Sequence, residues 1–437
     1  MHSFRYRDGQ LHCEDVDLGR VAEQFGTPLY VYSAGTILDH YARLDTALQS
    51  LHHLICYAVK ANSNRAILKL LADAGTGFDI VSGGELYRVL AAGGDPAKCT
   101  FAGVGKSREE IEYALEQRVY SFNVESEAEL EHIDRIAGAK KTCAPIALRV
   151  NPDVDPHTHE YISTGSHENK FGIALDRIGA AYEQAAKMRN VEIVGVQMHI
   201  GSQIIEAKPF ASAIGKVAPI VRQLKSRYGI KFLSIGGGMG IVYRRALESG
   251  SGKWWRDHDG ESFAFSVRDY ADAIVPELCE LHLRVLVEPG RFLVGNAGVL
   301  LTRVRFIKKS GAKKFTIVDA GMNDLIRPAL YRSYHEIVPV EEAKTGRSKS
   351  ENMEKIEIVG PVCESGDFFA LDREMPQLHE GDLLAIMSAG AYGFVMASNY
   401  NSRPFPAEAL VRDNKFTLIR KRQNREDLVR GEIDPEL

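Results

Sequence analysis

Short apolar runs alternate with amphipathic stretches along the first two thirds of the chain. In one amphipathic stretch the apolar residues recur every three or four positions, as on the buried face of a helix; they are Leu38, Tyr41, Leu44, Leu48 and Leu51. The apolar runs have the length of strands; they are Ile55–Val59, Phe78–Val81, Cys99–Ala102, Tyr120–Val124, Ile146–Val150, Val194–Ile200, Phe232–Ile235 and Arg284–Glu288. Strands that alternate with helices of this length predict right-handed crossover connections and a parallel sheet.

Eight strands between residues 34 and 296 match the requirement of a TIM (β/α)8 barrel, an α/β fold. A doubly wound open sheet is the alternative. It is less favoured because no G-x-G-x-x-G motif follows the first strand.

The pattern changes after about residue 297, where apolar runs are separated by turn-like segments without long helical repeats; the runs are Val299–Val304, Phe315–Val318, Ile356–Val359 and Leu383–Ile386. We therefore expect a mostly antiparallel β domain. The N-terminal segment contains the apolar run Pro28–Tyr32 and is expected to join it. The predicted domains are a barrel over residues 34–296 and a β domain formed by 1–33 plus 297–437. The polar residues 341–355 are expected to form a surface loop.

Composition limits the classes of protein that fit. The chain has 437 residues, 45% hydrophobic and 26% charged, with a net charge of −4, which is typical of a globular protein of about two domains. No Lys/Arg block stands out, so nucleic acid is not an expected partner. No apolar run approaches the length of a membrane span, and no secretory signal is visible. The six cysteines are widely spaced without a C-x-x-C pair, so we expect neither a disulfide framework nor a metal site, and a cytoplasmic location.

Lys60 stands where the first predicted strand meets a polar turn, residues 61–64. A lysine in this place is expected to be desolvated, and a desolvated lysine loses its proton more easily and becomes an amine nucleophile. That is what a Schiff base with an aldehyde cofactor requires. The alternative, which this segment alone favours, is that the amine extends out of the barrel mouth into water. The other strand ends reverse that preference.

The seventh strand is followed by the glycine-rich stretch 236–240. In TIM barrels function collects at the C-terminal ends of the strands, and phosphate often binds near strands seven and eight. Glycines allow backbone N–H groups to surround an anion, although glycine runs also form tight turns. Its position favours a phosphate-binding loop.

The sixth and eighth strands end in further candidates. Glu288 and Arg291 follow the eighth strand and could form a simple surface pair. Alternatively, the Glu288 carboxylate could keep the ring nitrogen of a pyridine-type cofactor protonated, and Arg291 could bind a substrate carboxylate. His199 follows the sixth strand, where it could be structural or stack on a flat cofactor. An amine, an aromatic ring, an anion-binding loop and a carboxylate at four strand ends together predict a pyridoxal phosphate site.

Several motifs carry a resemblance to a known family. Tyr57–Asn62, His199–Gln203, Gly236–Gly238 and Glu288–Arg291 resemble the motifs of the alanine-racemase-like pyridoxal phosphate fold, within the group that includes diaminopimelate, ornithine and arginine decarboxylases. Later segments are similar to the diaminopimelate decarboxylase family in particular; they are Thr164-Gly165, Lys170–Ile173, Met322–Tyr331, Cys363–Asp367 and Gly390–Gly393. The resemblance runs from about residue 10 to 415.

The resemblance implies roles for individual residues. The catalytic residues would be Lys60, Cys363 and His199. Pyridoxal 5′-phosphate would be bound by Lys60, His199, Gly237, Gly238, Glu288, Gly290, Arg291 and Tyr392. The substrate would be bound by Arg291, Arg327, Tyr331, Glu364 and Tyr392. Cys363 would give a proton to the carbon that loses CO2, and a thiol suits this because its ordinary pKa of about 8.5 keeps it protonated near neutrality. A buried structural cysteine is the alternative. The family also implies a homodimer in which Cys363 and Glu364 come from the partner.

The implied reaction is decarboxylation of meso-2,6-diaminopimelate to L-lysine and CO2. Two arginines suit a substrate with two carboxylates, whereas ornithine has one carboxylate and loses it. The alternatives are a decarboxylase of ornithine, arginine or carboxynorspermidine on the same fold, a pyridoxal phosphate-binding protein without turnover, and a racemase.

The segment 243–262 departs from the family pattern because it is longer and more polar than expected. It holds both tryptophans of the chain, Trp254 and Trp255. We expect a surface elaboration, and the alternative is a cover for the barrel mouth.

Overall fold

The computed structural model describes residues 1–155, 170–257, 265–342 and 353–434. The motif Thr164-Gly165 and most of the predicted loop 341–355 lie outside the described residues. The chain divides into two compact units. The β unit comprises Met1–Ile37, Val242–Gly260 and Val294–Leu437, and the barrel unit comprises Leu38–Ile241 and Glu261–Leu293.

The strands of both units are, in chain order, β1 (Phe4–Arg7), β2 (Gln10–Cys13), β3 (Val16–Asp17), β4 (Leu29–Ser33), β5 (His53–Ala58), β6 (Gly77–Ile80), β7 (Cys99–Phe101), β8 (Ser121–Val124), β9 (Ala144–Asn151), β10 (Ile173–Ala174), β11 (Val191–Met198), β12 (Phe232–Ser234), β13 (Arg284–Val287), β14 (Gly298–Ser310), β15 (Lys313–Val318), β16 (Ile337–Pro339), β17 (Met353–Val359), β18 (Phe368–Pro376), β19 (Leu383–Ile386), β20 (Ala407–Arg412) and β21 (Lys415–Arg420).

The α-helices are α1 (Leu18–Phe25), α2 (Ala34–Ala47), α3 (Arg65–Asp73), α4 (Gly83–Ala91), α5 (Arg108–Gln117), α6 (Glu127–Ala139), α7 (Ile178–Ala185), α8 (Lys208–Tyr228), α9 (Gly252–Asp257), α10 (Val267–Leu281), α11 (Arg291–Val294), α12 (Arg327–Tyr331) and α13 (Arg425–Leu428). None of the helices within the described residues is long and apolar enough to cross a membrane.

The barrel unit is a closed parallel barrel. Its strands pair in the order β9-β11-β12-β13-β5-β6-β7-β8, and β8 pairs with β9, which closes the sheet. All of these pairings are parallel. The predicted TIM barrel is therefore confirmed and the open-sheet alternative is wrong. The predicted strand ends differ from the observed ones by at most three residues, at β11, which begins at Val191 rather than Val194.

Capping side chains fix the short connections between barrel strands and the helices that follow them. The Asn64 side chain accepts a hydrogen bond from the N–H of Ala66 and begins α3. Ser82 and Ser126 cap α4 and α6 in the same way, each by accepting from the third residue of its helix. A capped helix start satisfies backbone donors that would otherwise lack partners. These strand-to-helix loops therefore have defined backbone positions.

The β unit contains the predicted mostly antiparallel sheet. Its order is β18-β17-β15-β14-β4-β20-β21, and β19 pairs with both β14 and β16. Two of its pairings are parallel, β15 with β17 and β20 with β4. The N-terminal strand β4 lies between β14 and β20, which confirms that the N-terminal segment joins this sheet. The segment Val242–Gly260 also belongs to this unit, a difference from the predicted barrel domain of residues 34–296.

Candidate active site

Lys60 lies in a single 3₁₀ turn, Val59–Ala61, directly after β5. The Tyr57 hydroxyl donates to the carbonyl of Asn62 at 2.9 Å, which holds the chain on both sides of the lysine. The Lys60 ammonium lies 3.2 Å from Oδ2 of Asp79, and 39% of the lysine side chain is exposed. The lysine is therefore partly exposed and paired with a carboxylate rather than fully desolvated, a difference from the expectation.

Asp79 is a site residue that the sequence analysis missed. It lies in β6, is 1% exposed, and its Oδ1 atom has no hydrogen-bond partner among the described residues. A buried carboxylate oxygen without a partner is costly in free energy. A carboxylate between Phe78 and Ile80 in a buried strand was the signal that could have revealed it.

Glu288 follows β13 and is 6% exposed. Its Oε1 accepts hydrogen bonds from Ser234 Oγ at 2.6 Å and from Asn123 Nδ2 at 3.4 Å, and its Oε2 accepts one from Gln197 Nε2 at 3.1 Å. Burial, together with the negative charge of Asp79, raises the pKa of Glu288 to about 7. Hydrogen bonds thus orient the Glu288 carboxyl group, and a cationic neighbour would favour its charged form.

Asn123, Gln197 and Ser234 come from three different barrel strands, β8, β11 and β12. All three are at most 1% exposed, so their side chains lie inside the protein. None of the three was a candidate site residue from the sequence. A polar residue within an otherwise buried parallel strand is unusual and was the available signal.

His199 follows β11 and is tied to the glycine loop. Its Nδ1 accepts a hydrogen bond from the N–H of Gly237 at 3.2 Å. Burial and the positive charges of Arg149 and Lys60 lower the pKa of His199 well below its ordinary value. The imidazole is therefore neutral near pH 7 and carries its proton on Nε2.

The glycine loop packs tightly against its neighbours. A Cβ atom at Gly237 would lie 2.2 Å from the carbonyl oxygen of Glu288. Gly238 has a φ of +111°, and a Cβ atom there would lie 2.5 Å from the carbonyl oxygen of Gly201. Side chains do not fit at either position. The loop is thus a tight turn that brings bare backbone to the ends of the sixth and eighth strands.

The turn after β13 lies against the Lys60 turn. The Ala58 N–H donates to the carbonyl of Pro289 at 3.1 Å. A Cβ atom at Gly290 would lie 3.0 Å from Cβ of Ala61. Arg291, 4% exposed, donates from its guanidinium to Ser202 Oγ at 3.0 Å. Within the barrel unit, the structure thus brings Lys60, His199, the glycine loop, Glu288 and Arg291 to the C-terminal ends of adjacent strands.

A buried ion pair gives the motif Lys170–Ile173 a structural role. Arg149 and Glu125 form an ion pair at 2.9 Å, and both side chains are at most 7% exposed. Glu125 Oε2 also accepts a hydrogen bond from the N–H of Gly172 at 2.9 Å. The pair therefore anchors the motif to the barrel and fixes Arg149, whose charge adds to burial in lowering the pKa of His199.

Arg327 and Tyr331 are the first and last residues of α12 in the β unit. Arg327 is 6% exposed, and its guanidinium lies 5.7 Å from the centroid of the Tyr331 ring. Tyr392 lies in the loop after β19 with a φ of +56°, an uncommon value for tyrosine. These three predicted residues belong to the same unit.

Cys363 and Glu364 are exposed on the chain, so the alternative of a buried structural cysteine is wrong. The Glu364 carboxylate accepts a hydrogen bond from the Tyr400 hydroxyl at 3.4 Å. The loop that carries both residues is held by Asp367, whose two oxygens accept hydrogen bonds from the N–H groups of Val362 and Met322, each at 2.6 Å. Asp367 thus connects this loop to the segment that leads into α12.

Comparisons with known proteins agree with this arrangement. A family model described as "Pyridoxal-dependent decarboxylase, pyridoxal binding domain" matches residues 34–295, so the barrel is that of a pyridoxal-dependent decarboxylase. The diaminopimelate decarboxylase of Pseudomonas aeruginosa is 48% identical over 99% of each chain, and that of Aquifex aeolicus is 46% identical over 98% of this chain and 97% of the relative. The chain belongs to the diaminopimelate decarboxylase family.

A solved structure supports the same assignment. The Helicobacter pylori diaminopimelate decarboxylase complexed with L-lysine superposes with a TM-score of 0.86 at 40% identity, covering 95% of this chain and 99% of that one. The residues of the barrel unit fit pyridoxal 5′-phosphate, the cofactor of this class. They offer an amine beside a buried carboxylate oxygen without a partner, a buried glutamate with a raised pKa, and a backbone loop where side chains do not fit.

Proposed function

We propose that the protein decarboxylates meso-2,6-diaminopimelate to L-lysine and CO2 with pyridoxal 5′-phosphate as cofactor, the last step of lysine biosynthesis. Family membership supports the reaction. The buried carboxylate of Glu288, oriented by Ser234 and Gln197 at the end of a barrel strand, is the single structural observation that supports it most strongly.

Lys60 would attach the cofactor through its amine. When bound, pyridoxal phosphate supplies an electron sink for the electron pair that remains on carbon when CO2 leaves. Glu288 would hold a proton at the ring nitrogen, because Ser234 and Gln197 orient its carboxylate and a cationic partner offsets the cost of its burial. The neutral imidazole of His199 would lie along the ring without adding positive charge.

The remaining barrel residues would position the cofactor and the substrate. The backbone of Gly237, Gly238 and Gly290 would bind phosphate with help from Tyr392, since these glycines leave no side chain in the way. Arg291 would bind a carboxylate, because its guanidinium is already oriented by Ser202.

Residues of the β unit would recognise the stereocentre of the substrate that does not react. One of them would also supply a proton. Arg327 and Tyr331 would bind the carboxylate that remains in the product, and Glu364 would bind the distal amine. Cys363 would donate the proton that replaces CO2 on carbon. The charges match, since two arginines face two carboxylates and one glutamate faces an amine.

Measurement of CO2 and L-lysine with purified protein and added cofactor tests this function. We expect release of both from meso-diaminopimelate and none from ornithine, arginine or carboxynorspermidine. These substrates are not favoured because the relatives that establish the family are diaminopimelate decarboxylases. Racemisation or cofactor binding without CO2 would contradict the proposal. Lys60→Ala serves as the inactive control.

We further propose that two copies share their active sites in a homodimer, and that the protein acts in the cytoplasm. Exposure of Cys363 and Glu364 supports the dimer, because a proton donor works best where water is excluded. Six free cysteines support a reducing compartment.

Mixing two inactive variants tests the shared site. If Cys363 acts on the partner's cofactor, a mixture of Lys60→Ala and Cys363→Ala protein regains up to about a quarter of normal activity, since half of the randomly exchanged dimers carry one intact site. Recovery of no activity from dimers shown to exchange would contradict the sharing.

A further inference from the structure

Three neutral side chains contact the guanidinium of Arg327, all within the β unit. Arg327 Nε donates to His335 Nε2 at 3.4 Å, and its Nη2 donates to Tyr243 Oη and to Ser333 Oγ, each at 3.3 Å. Because these acceptors are neutral, they orient the guanidinium without cancelling its charge.

His335 is itself fixed. It is fully buried, and its Nδ1 bonds to the carbonyl of Met387 at 2.9 Å. A carbonyl accepts only, so the imidazole carries its proton on Nδ1 and presents Nε2 as an acceptor to Arg327. The Tyr243 ring packs edge-on against the His335 ring at a centroid distance of 5.2 Å.

The backbone before Tyr243 is also held. The carbonyl of Val242 accepts hydrogen bonds from Asn296 Nδ2 at 3.1 Å and from Ser388 Oγ at 3.3 Å. Tyr243 is the first residue of the segment 243–262, whose role the sequence left open. Its described start is therefore connected to the residue expected to recognise the substrate.

We propose that Tyr243, with Ser333 and His335, is a positioning residue that makes the site selective for ligands with a carboxylate at the centre that does not react. The inference rests on the proposed function, in which Arg327 binds that carboxylate. A free arginine loses much side-chain entropy when it forms a two-point contact with a carboxylate. Prior orientation by Tyr243 lowers that loss, and it does so only for ligands that have the carboxylate.

Two small molecules separate this role from general support of the fold. L-Lysine keeps the carboxylate of the centre that does not react. Cadaverine, 1,5-diaminopentane, is lysine without that carboxylate. We would therefore measure the equilibrium binding of L-lysine and of cadaverine to the cofactor-loaded protein. The difference between the two binding free energies gives the contribution of the carboxylate.

The test compares Tyr243→Phe with the unchanged protein. Loss of the hydroxyl acceptor is expected to weaken L-lysine binding by about three- to tenfold, the range for loss of one ordinary hydrogen bond, because two other acceptors still orient the guanidinium. Cadaverine binding should change by less than about twofold, because that ligand does not use Arg327. Ser333→Ala removes the second hydroxyl and should give the same pattern, which keeps the test valid if Tyr243→Phe does not fold.

Tyr334→Phe is the matched control. Its ring contacts the guanidinium groups of Arg244 and Arg373, at 4.3 and 4.1 Å from the ring centroid, and its hydroxyl is not one of the three Arg327 acceptors described above. It should leave the binding of both ligands unchanged. Equal weakening of L-lysine and cadaverine by Tyr243→Phe would overturn the inference, and so would unchanged binding of both.

Failure of the proposed function is recognised separately. If the unchanged protein does not prefer L-lysine over cadaverine, or Arg327→Gln leaves that preference intact, then the role of Arg327 is wrong. If Arg327→Gln removes the preference but neither Tyr243→Phe nor Ser333→Ala reduces it, only the positioning role is wrong.

Discussion

The two groups of proposed site residues are held in different ways. In the barrel unit, Lys60, His199 and Glu288 follow strands β5, β11 and β13, and each is bonded to a residue on or after another strand. In the β unit, Cys363 and Glu364 lie on an exposed loop held by the carboxylate of Asp367 and by a hydrogen bond from the Cys363 N–H to Asn401 Oδ1 at 2.8 Å. A site built on strand ends has many redundant supports, whereas a loop depends on few. Loss of one support should therefore disturb the loop of the β unit more than it disturbs the strand ends of the barrel unit.

The largest effect is expected at Cys363. Cys363→Ala should lower kcat by about 10²–10⁴-fold while cofactor absorbance and thermal stability stay unchanged, because an exposed side chain supports little of the fold. Cys143→Ala, which alters another exposed cysteine, is the control and should be fully active. Full activity of Cys363→Ala would refute the proton-donor role.

Substitution of Glu288 tests the proposed role of the barrel unit in catalysis. Glu288→Gln keeps the shape but removes the negative charge, so kcat should fall by about 10²–10³-fold, as when an oriented electrostatic contact in an active site is lost. Glu277→Gln on α10, whose side chain is 41% exposed and pairs with Arg222, provides the matched change outside the site. A Glu288→Gln variant with unchanged kcat and cofactor spectrum would show that this carboxylate does not serve the ring nitrogen.

The burial of Glu288 should also affect how the unfolding free energy depends on pH. Because the pKa of Glu288 is raised from 4.5 to about 7, the folded cofactor-free protein holds a proton that the unfolded chain releases between these values. Its unfolding free energy should therefore fall as pH rises through this window, by on the order of 1–3 kcal/mol for this group. Urea unfolding of the cofactor-free protein at pH 5 and pH 8 measures the fall, and Glu288→Gln should reduce it. An equal fall in the variant would contradict the assignment.

Substitution of Asp367 tests how far the loop that carries Cys363 depends on this one carboxylate. Asp367→Asn leaves an amide nitrogen facing a backbone N–H, so we expect a loss of about 1–2 kcal/mol in unfolding free energy and faster alkylation of Cys363 by iodoacetamide. Asp372→Asn, on the exposed surface of β18, should change neither quantity. An unaltered alkylation rate in Asp367→Asn would mean that the loop has other supports.

Sequence patterns predicted the barrel strands and the residues that follow them. Continuous apolar runs are specific for buried parallel strands, and chemistry in such barrels concentrates at one end of each strand. Lys60, His199 and Glu288 could therefore be predicted as candidates from their positions at strand ends taken together. The ion pair of Lys60 could not be predicted because its partner Asp79 lies on another strand and is adjacent only after folding.

The supporting residues could not be predicted for a similar reason. Asn123, Gln197 and Ser234 become partners of Glu288 only when the barrel closes, and no spacing in the sequence records that closure. In the β unit, Arg327 was found by family resemblance, and its contact with Tyr243 spans 84 positions. Contacts of this kind depend on the tertiary fold rather than on local pattern.

Reduction of the cofactor-loaded protein with borohydride, followed by peptide mass spectrometry, tests the central claim most directly. The account predicts one stable pyridoxyl group per chain, attached to Lys60, and none in Lys60→Ala. The exposed Lys69, which pairs with Asp73 on α3, should stay unmodified. A pyridoxyl group on another lysine, or none on the unchanged chain, would contradict the account.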